Sequence, residues 1–102
     1  MDVAAEHYKI KVLLNDIEQP FSLTVKRNSN EERIFRDATK MINAYYNEYK
    51  SRIKGLDSTA YYGMVALLMA RMYIEASDAK KDLETALAQF EKEIVAYLEE
   101  QK

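Results

Sequence analysis

Cysteine and tryptophan are absent from this chain of 102 residues, histidine and proline each occur once, and glycine occurs twice. Without cysteine the chain can form no disulfide and offers no thiolate to a metal or a substrate. The single histidine, His7, lies outside any clustered ligand spacing and is expected to be a solvated surface side chain. The two glycines are isolated, so no phosphate-cradling loop is present. We therefore expect no enzyme activity, no cofactor and no metal site.

Long apolar runs and a large net charge are also lacking. No apolar stretch approaches the roughly 18 residues of a membrane span, and the amino terminus lacks the basic and then apolar pattern of a signal peptide. The formal net charge of −2 gives no general reason to bind nucleic acid. We expect a cytoplasmic protein without membrane or nucleic-acid partners. The charge is uneven, because residues 1–56 hold ten Lys and Arg against eight Asp and Glu, and residues 57–102 hold five against nine.

What the chain does contain begins with two short stretches of alternating apolar residues. The apolar positions are Tyr8, Ile10, Val12 and Leu14 in the first stretch and Phe21, Leu23 and Val25 in the second. A period of two is typical of β-strands with one face towards water. Asn15 and Asp16 between them are turn residues, because both tolerate a left-handed backbone. The sequence predicts a β-hairpin.

Two helices are predicted after the hairpin. The first is expected to begin with a capping box formed by Ser29 and Glu32, and to end before Gly55. The second runs from about Thr59 to Gln101 and is expected to be capped by Asp57 or by Ser58. Most of the eight tyrosines fall on faces that helix pairing would bury, which favours packing over base stacking.

The second helix is too long for the rest of the chain to cover. At ~1.5 Å per residue it would be roughly 64 Å long, whereas a compact chain of this size has a radius of gyration of ~13 Å. Its far half carries apolar residues at alternating steps of four and three, which is the a and d seam of a coiled coil. We therefore predict that this seam joins copies of the chain, with oligomer order and strand direction left open. The seam residues are Leu83, Leu87, Phe90, Ile94 and Tyr97.

The predicted fold class is α+β: an N-terminal β-hairpin, one helix, and a long C-terminal helix that ends in a coiled coil. We place the small α+β head at residues 1–78 and the coiled-coil extension at residues 79–102. A basic cluster lies at the hairpin exit and along the first helix. It is either a solvated helix face or a docking surface for an acidic partner. Its members are Lys26, Arg27, Arg33, Arg36 and Lys40.

Several strings in this order resemble the ZapA family of bacterial cell-division proteins. They are KIKV at residues 9–12, PFSLTV at 20–25, the EE, RDA, IN and Y positions within 31–49, and MVALLMA at 64–70. The helix after Ala79 offers no matching string. The charged head positions through which the family contacts its partner do not map securely onto this chain, so the basic cluster is an electrostatic prediction rather than a transferred motif.

The resemblance implies a non-enzymatic partner of the tubulin-like GTPase FtsZ at the mid-cell division site. Members of the family form homodimers that can pair into antiparallel homotetramers, so that heads at opposite ends bridge adjacent FtsZ filaments and bundle them. One alternative is a generic coiled-coil dimerising adaptor whose head binds another acidic protein. A third hypothesis, a nucleic-acid binder that uses the basic head and its tyrosines, predicts salt-dependent retention on DNA.

Overall fold

The computed structural model of the protein describes residues 6–100 and contains four elements. The strands β1 (His7–Val12) and β2 (Phe21–Lys26) are followed by the helices α1 (Glu31–Arg52) and α2 (Ser58–Glu100). The predicted α+β class, with a hairpin, one helix and a long second helix, is thus confirmed. The chain divides into two compact units, the first ending at Val65 and the second beginning at Ala66. The predicted head at 1–78 and extension at 79–102 stay a prediction.

The hairpin is antiparallel, and its register pairs Val12 with Phe21 and Ile10 with Leu23. Directly opposed residues of an antiparallel pair project to the same side, so the apolar positions of both strands share one face. Ile10, Val12 and Val25 on that face are buried, and Val25 has no exposed surface at all. This small cluster is the core that the alternating pattern predicted.

The hairpin turn is held to α1 by asparagine side chains. The Asn15 backbone N–H donates to Asn43 Oδ1 at 2.9 Å, and Asn43 Nδ2 donates to the Leu13 carbonyl at 3.0 Å. Asn15 Nδ2 also donates to Asn47 Oδ1 at 2.9 Å. Asp16 in the turn adopts the expected left-handed conformation, with φ of 61°. These bonds fix the strand ends relative to α1.

Three tyrosines join α1, the start of α2 and the turn. Tyr46 is only 1% exposed, and its ring centroid lies 5.6 Å from that of Tyr61 and 4.4 Å from that of Tyr62. The Tyr46 hydroxyl donates to Asp16 Oδ2 at 2.6 Å, and the Tyr62 hydroxyl donates to the Asn15 carbonyl. The packing interpretation of these tyrosines therefore holds within the first unit.

The start of α1 differs from the predicted capping box. Its N-cap residue is Asn30, with no side-chain cap hydrogen bond. The Ser29 hydroxyl donates to the Lys26 carbonyl at 2.6 Å, and the Glu32 carboxylate bonds Tyr8 and Arg36. The prediction was wrong because a long-range partner on β1 takes the carboxylate that the local motif would have used.

The connection between the helices follows its prediction. Gly55 has φ of 87°, a conformation that glycine adopts without a Cβ penalty. Asp57 Oδ1 accepts from the Ala60 backbone N–H at 2.9 Å, and α2 begins at Ser58. Asp57 is therefore the helix cap.

The second unit is the remainder of α2, in which most side chains are exposed. Its apolar residues recur on the exposed surface as far as Leu98. Across residues 6–100, no helix is long and apolar enough to cross a membrane.

Candidate partner-binding surfaces

The five predicted basic residues lie in two segments of the first unit. Lys26 ends β2 and Arg27 follows it, whereas Arg33, Arg36 and Lys40 lie on α1. All five are exposed. Whether they bind a partner stays a prediction, but their local contacts differ and decide which charges are available.

Arg27 lies over the ring of Tyr8, and Arg36 is linked to the Tyr8 hydroxyl through Glu32. The Arg27 guanidinium carbon lies 5.1 Å from the centre of the Tyr8 ring, which is a cation–π distance. The Tyr8 hydroxyl donates to Glu32 Oε1 at 2.5 Å, and Arg36 Nε donates to Glu32 Oε2 at 2.8 Å. The hydrogen bond to Glu32 raises the pKa of Tyr8. The Tyr8 hydroxyl, and then Arg36, lower the pKa of Glu32, so the carboxylate stays charged between Tyr8 and Arg36.

The remaining three residues of the cluster are less connected. Arg33 Nη1 lies 3.3 Å from Asp37 Oδ2 one turn along the helix, and both side chains are exposed. The Lys26 backbone N–H donates to Glu31 Oε2 at 2.7 Å. The Lys26 ammonium group forms no ion pair among residues 6–100. Lys40 likewise forms no ion pair within the described part of the chain. Exposed i, i+4 pairs contribute little, so a partner's carboxylate can replace that of Asp37 at small cost.

Arg36 and Lys40 of the five line one groove. The groove lies between the end of β1 and α1, and holds a cavity of about 200 Å³. Sequence reasoning missed its other members, although the alternation of β1 already placed Lys11 on the hydrophilic side of the strand. The lining residues are Lys11, Val12, Leu13, Arg36, Thr39 and Lys40.

The predicted oligomerisation residues form an exposed apolar stripe on α2. Leu83, Leu87, Phe90, Ile94 and Tyr97 keep between 43% and 61% of their surface accessible. Leu98 beside them is also exposed, which widens the stripe. Apolar surface of this extent at heptad spacing is typical of an interface between helices. Self-association itself stays a prediction.

His7 begins β1 and is less exposed than the sequence suggested. It is half-buried opposite Lys26, and its Nδ1 atom is buried without a hydrogen-bond partner among residues 6–100. The side chain that the sequence predicted to be solvated is therefore solvated only in part. In the described range, no group of three or more His, Cys, Asp or Glu could hold a metal ion.

Comparison with known proteins gives one family. The profile of the family described as "Cell division protein ZapA" matches residues 10–101. No curated protein and no solved structure gives a match. The matched range includes the groove, the basic cluster and the whole exposed stripe of α2, including the part after Ala79 for which the sequence offered no matching string.

Proposed function

The chain belongs to the ZapA family of cell-division proteins, and from this we propose that it binds FtsZ filaments and crosslinks them as a bivalent homo-oligomer. The family is non-enzymatic and associated with FtsZ in cell division. The observation that carries the proposal is the family match over residues 10–101, which spans both the basic head and the apolar stripe of α2. In the cell we place the protein in the cytoplasm, at the mid-cell division site.

Self-association through α2 is the first part of the mechanism. Leu87 and Ile94 occupy the a positions of the predicted seam and are exposed in the single chain. Burying their apolar surface against a second copy stabilises the oligomer by about 25 cal/mol per Å² removed from water. An oligomer of this kind, a homodimer or homotetramer, carries at least two heads. Two heads on neighbouring filaments hold them together through effective concentration even when each contact is weak.

Binding of an acidic FtsZ surface by the basic cluster is the second part. Lys26 and Lys40 have no ion pair within residues 6–100, and Arg33 is paired only with the exposed Asp37. These cations are therefore available to a partner's carboxylates without breaking a buried interaction. Such complementarity raises the association rate and makes binding sensitive to salt.

Co-pelleting with GTP-assembled FtsZ tests the proposal, with the wild type beside the double variant Leu87→Asp/Ile94→Asp. We expect the wild type to pellet with filaments and bundle them. The double variant should lose bundling, because two carboxylates in the seam oppose pairing of the helices. The matched control is Gln89→Asp/Ala96→Asp, which adds the same charges at the same spacing outside the predicted seam.

Light scattering supplies the second measurement. A mass that is unchanged in Leu87→Asp/Ile94→Asp rejects the seam. A wild type that never pellets with FtsZ rejects the filament proposal and leaves a coiled-coil adaptor with a different acidic partner. The charge reversal Arg33→Glu/Arg36→Glu should weaken bundling while circular dichroism stays that of the folded head. Normal bundling by this variant would return the two arginines to a solvated helix face.

A further inference from the structure

A groove lies between the end of β1 and α1, and the packing of these two elements does not explain its lining residues. Its walls are the end of β1 on one side and one turn of α1 on the other, and no residue of β2 lines it. It therefore lies at the edge of the two-stranded sheet that faces away from β2. A cavity of about 200 Å³ accommodates a few side chains of a bound peptide rather than a drug-sized ligand.

The charge of the groove has one sign. Three of the six lining residues, Lys11, Arg36 and Lys40, are cationic and none is acidic, while the lining surface itself is mostly apolar. Arg36 shares its charge with Glu32, at 2.8 Å, whereas Lys11 and Lys40 form no ion pair within residues 6–100. Cationic residues gathered on one surface attract an anionic partner. The groove thus favours an occupant that carries carboxylates.

An apolar contact point lies next to these cations. Leu13 follows β1 and is 57% exposed, although its neighbour Val12 is buried. An exposed leucine alone has no special meaning, but this one lines a groove with three cations. An occupant with one apolar side chain beside acidic ones would place that side chain against the mostly apolar lining and its carboxylates near the cationic residues.

The backbone of β1 supplies a third element. The Arg27 backbone N–H donates to the Glu6 carbonyl at 2.8 Å. Glu6 and Arg27 are therefore a hydrogen-bonded pair, directly next to the pair of His7 and Lys26. Because hydrogen-bonded and non-bonded pairs alternate along an antiparallel ladder, the N–H and C=O groups of Lys9 and Lys11 point away from β2. An extended peptide can pair with such an edge. Beyond Lys11 the edge closes, because Asn43 already donates to the Leu13 carbonyl.

We propose that an extended acidic segment of FtsZ binds this groove by adding a short strand to the edge of β1. Its backbone pairs with Lys9 and Lys11, its carboxylates meet Lys11, Arg36 and Lys40, and one apolar side chain packs on Leu13. This inference rests on the proposed function, since FtsZ is its stated source. It goes beyond that function by assigning the contact to one groove and one peptide conformation, and by adding Lys9, Lys11, Leu13 and Thr39 to the candidate site.

The test uses the full chain and compares two charge reversals in FtsZ co-pelleting. Lys11→Glu/Lys40→Glu reverses the two groove lysines. Lys81→Glu/Lys92→Glu makes the same change of net charge on α2, outside both the groove and the predicted seam. We expect the groove variant to bind filaments about tenfold more weakly or worse, and the control to bind as the wild type does. Circular dichroism verifies folding, and Lys11→Gln/Lys40→Gln replaces the reversal if the reversed head does not fold.

A titration with overlapping synthetic peptides that cover the FtsZ sequence identifies the segment directly. Isotope-labelled chain should show shifts of the Lys9, Lys11, Leu13 and Thr39 amides with an acidic peptide, and salt should weaken them. Leu13→Ser should weaken binding of the same peptide. If the wild type pellets with FtsZ and the groove variant pellets equally well, the groove proposal is wrong while the proposed function stands. If the wild type does not pellet at all, both are wrong.

Discussion

Replacement of Tyr46 by alanine tests the packing that holds the head together. The Tyr46 ring is 1% exposed and contacts the rings of Tyr61 and Tyr62 at centroid distances of 5.6 and 4.4 Å. Removing a buried aromatic side chain costs about 3–5 kcal/mol, since the lost contacts leave a cavity. A unit that ends at Val65 has a total stability of roughly 3–10 kcal/mol at the usual values per residue. The variant should therefore lose a third or more of the free energy of unfolding.

Urea unfolding followed by circular dichroism measures this loss. With a slope of about 1 kcal/mol per molar urea for a small protein, the midpoint should fall by roughly 3 M, or the head should be unfolded without urea. Protein concentration must be the same for all variants, because self-association adds to apparent stability. Tyr45→Ala is the matched control, since that neighbouring tyrosine is only half-buried and should cost less.

Tyr46→Phe separates the ring from the hydroxyl. It keeps the aromatic packing and removes the donor to Asp16 Oδ2, to which Lys50 Nζ remains bound at 2.6 Å. We expect a smaller loss than for Tyr46→Ala. An equal loss in the two variants would refute the argument, because the ring would then contribute nothing. A loss below about 1 kcal/mol in Tyr46→Ala would show that the site is not packed as described.

Three further predictions concern titration and helix capping. Lys50 first and then Tyr46 lower the pKa of Asp16 below its ordinary value of 3.8. Tyr8 first and then Arg36 lower the pKa of Glu32 below its ordinary value of 4.5. Both carboxylates therefore stabilise the folded head at pH values above these ordinary pKa values. This stability should be lost as pH falls through the lower folded values, and acid unfolding of Asp16→Asn/Glu32→Gln should show a weaker pH dependence. Burial raises the pKa of Tyr46 and Tyr62 above 10.0, and for Tyr46 the hydrogen bond to Asp16 adds to the shift. The two protonated hydroxyls therefore stabilise the folded head below pH 10, and this stability is lost as the pH rises further. Tyrosinate absorbance should show a late step in the titration, which Tyr46→Phe reduces. Asp57→Ala should cost about 1 kcal/mol in urea unfolding through loss of the cap, and Ser58→Ala much less; equal losses would contradict the assignment of the cap.

Periodicity predicted the elements because it is a local property of the chain. The alternation around Ile10 and Leu23 required a strand on each side of a turn, and the structure places them directly opposite each other. The steps of three and four from Leu83 onwards required one helix, and α2 runs to Glu100 without interruption. Neither pattern depends on what the rest of the chain does, so both could be predicted from the sequence.

Polar contacts between distant residues could not be predicted in this way. Asn15 bonds Asn43 across 28 residues of sequence, and Tyr8 bonds Glu32 across 24. Asparagine and glutamate have several suitable partners in any local window, and which one they take depends on the tertiary arrangement. Glu32 illustrates this, because the spacing from Ser29 predicted a helix cap and the fold uses the carboxylate to connect β1 with α1.

The candidate site was predicted in part for the same reason. Arg36 and Lys40 share a helix face, so their proximity followed from the helical period. Lys11 joins them only because β1 lies beside that turn of α1, and the available backbone of the strand edge has no signature in the sequence. The cations that the sequence grouped with them, Arg27 and Arg33, take part in other contacts.

The lysines of β1 also determine which strands its open edge can accept. Lys9 and Lys11 flank the unpaired backbone groups, and a lysine-flanked edge opposes addition of another copy of itself through like-charge repulsion. The edge of β2 differs, since Glu31 already accepts from the Lys26 backbone N–H. An acidic strand on β1 meets attraction where a second hairpin meets repulsion. The charge that protects the hairpin from joining other hairpins is therefore the same charge that selects an acidic segment, and the neutralised variant Lys9→Gln/Lys11→Gln should weaken this selection and favour association between heads.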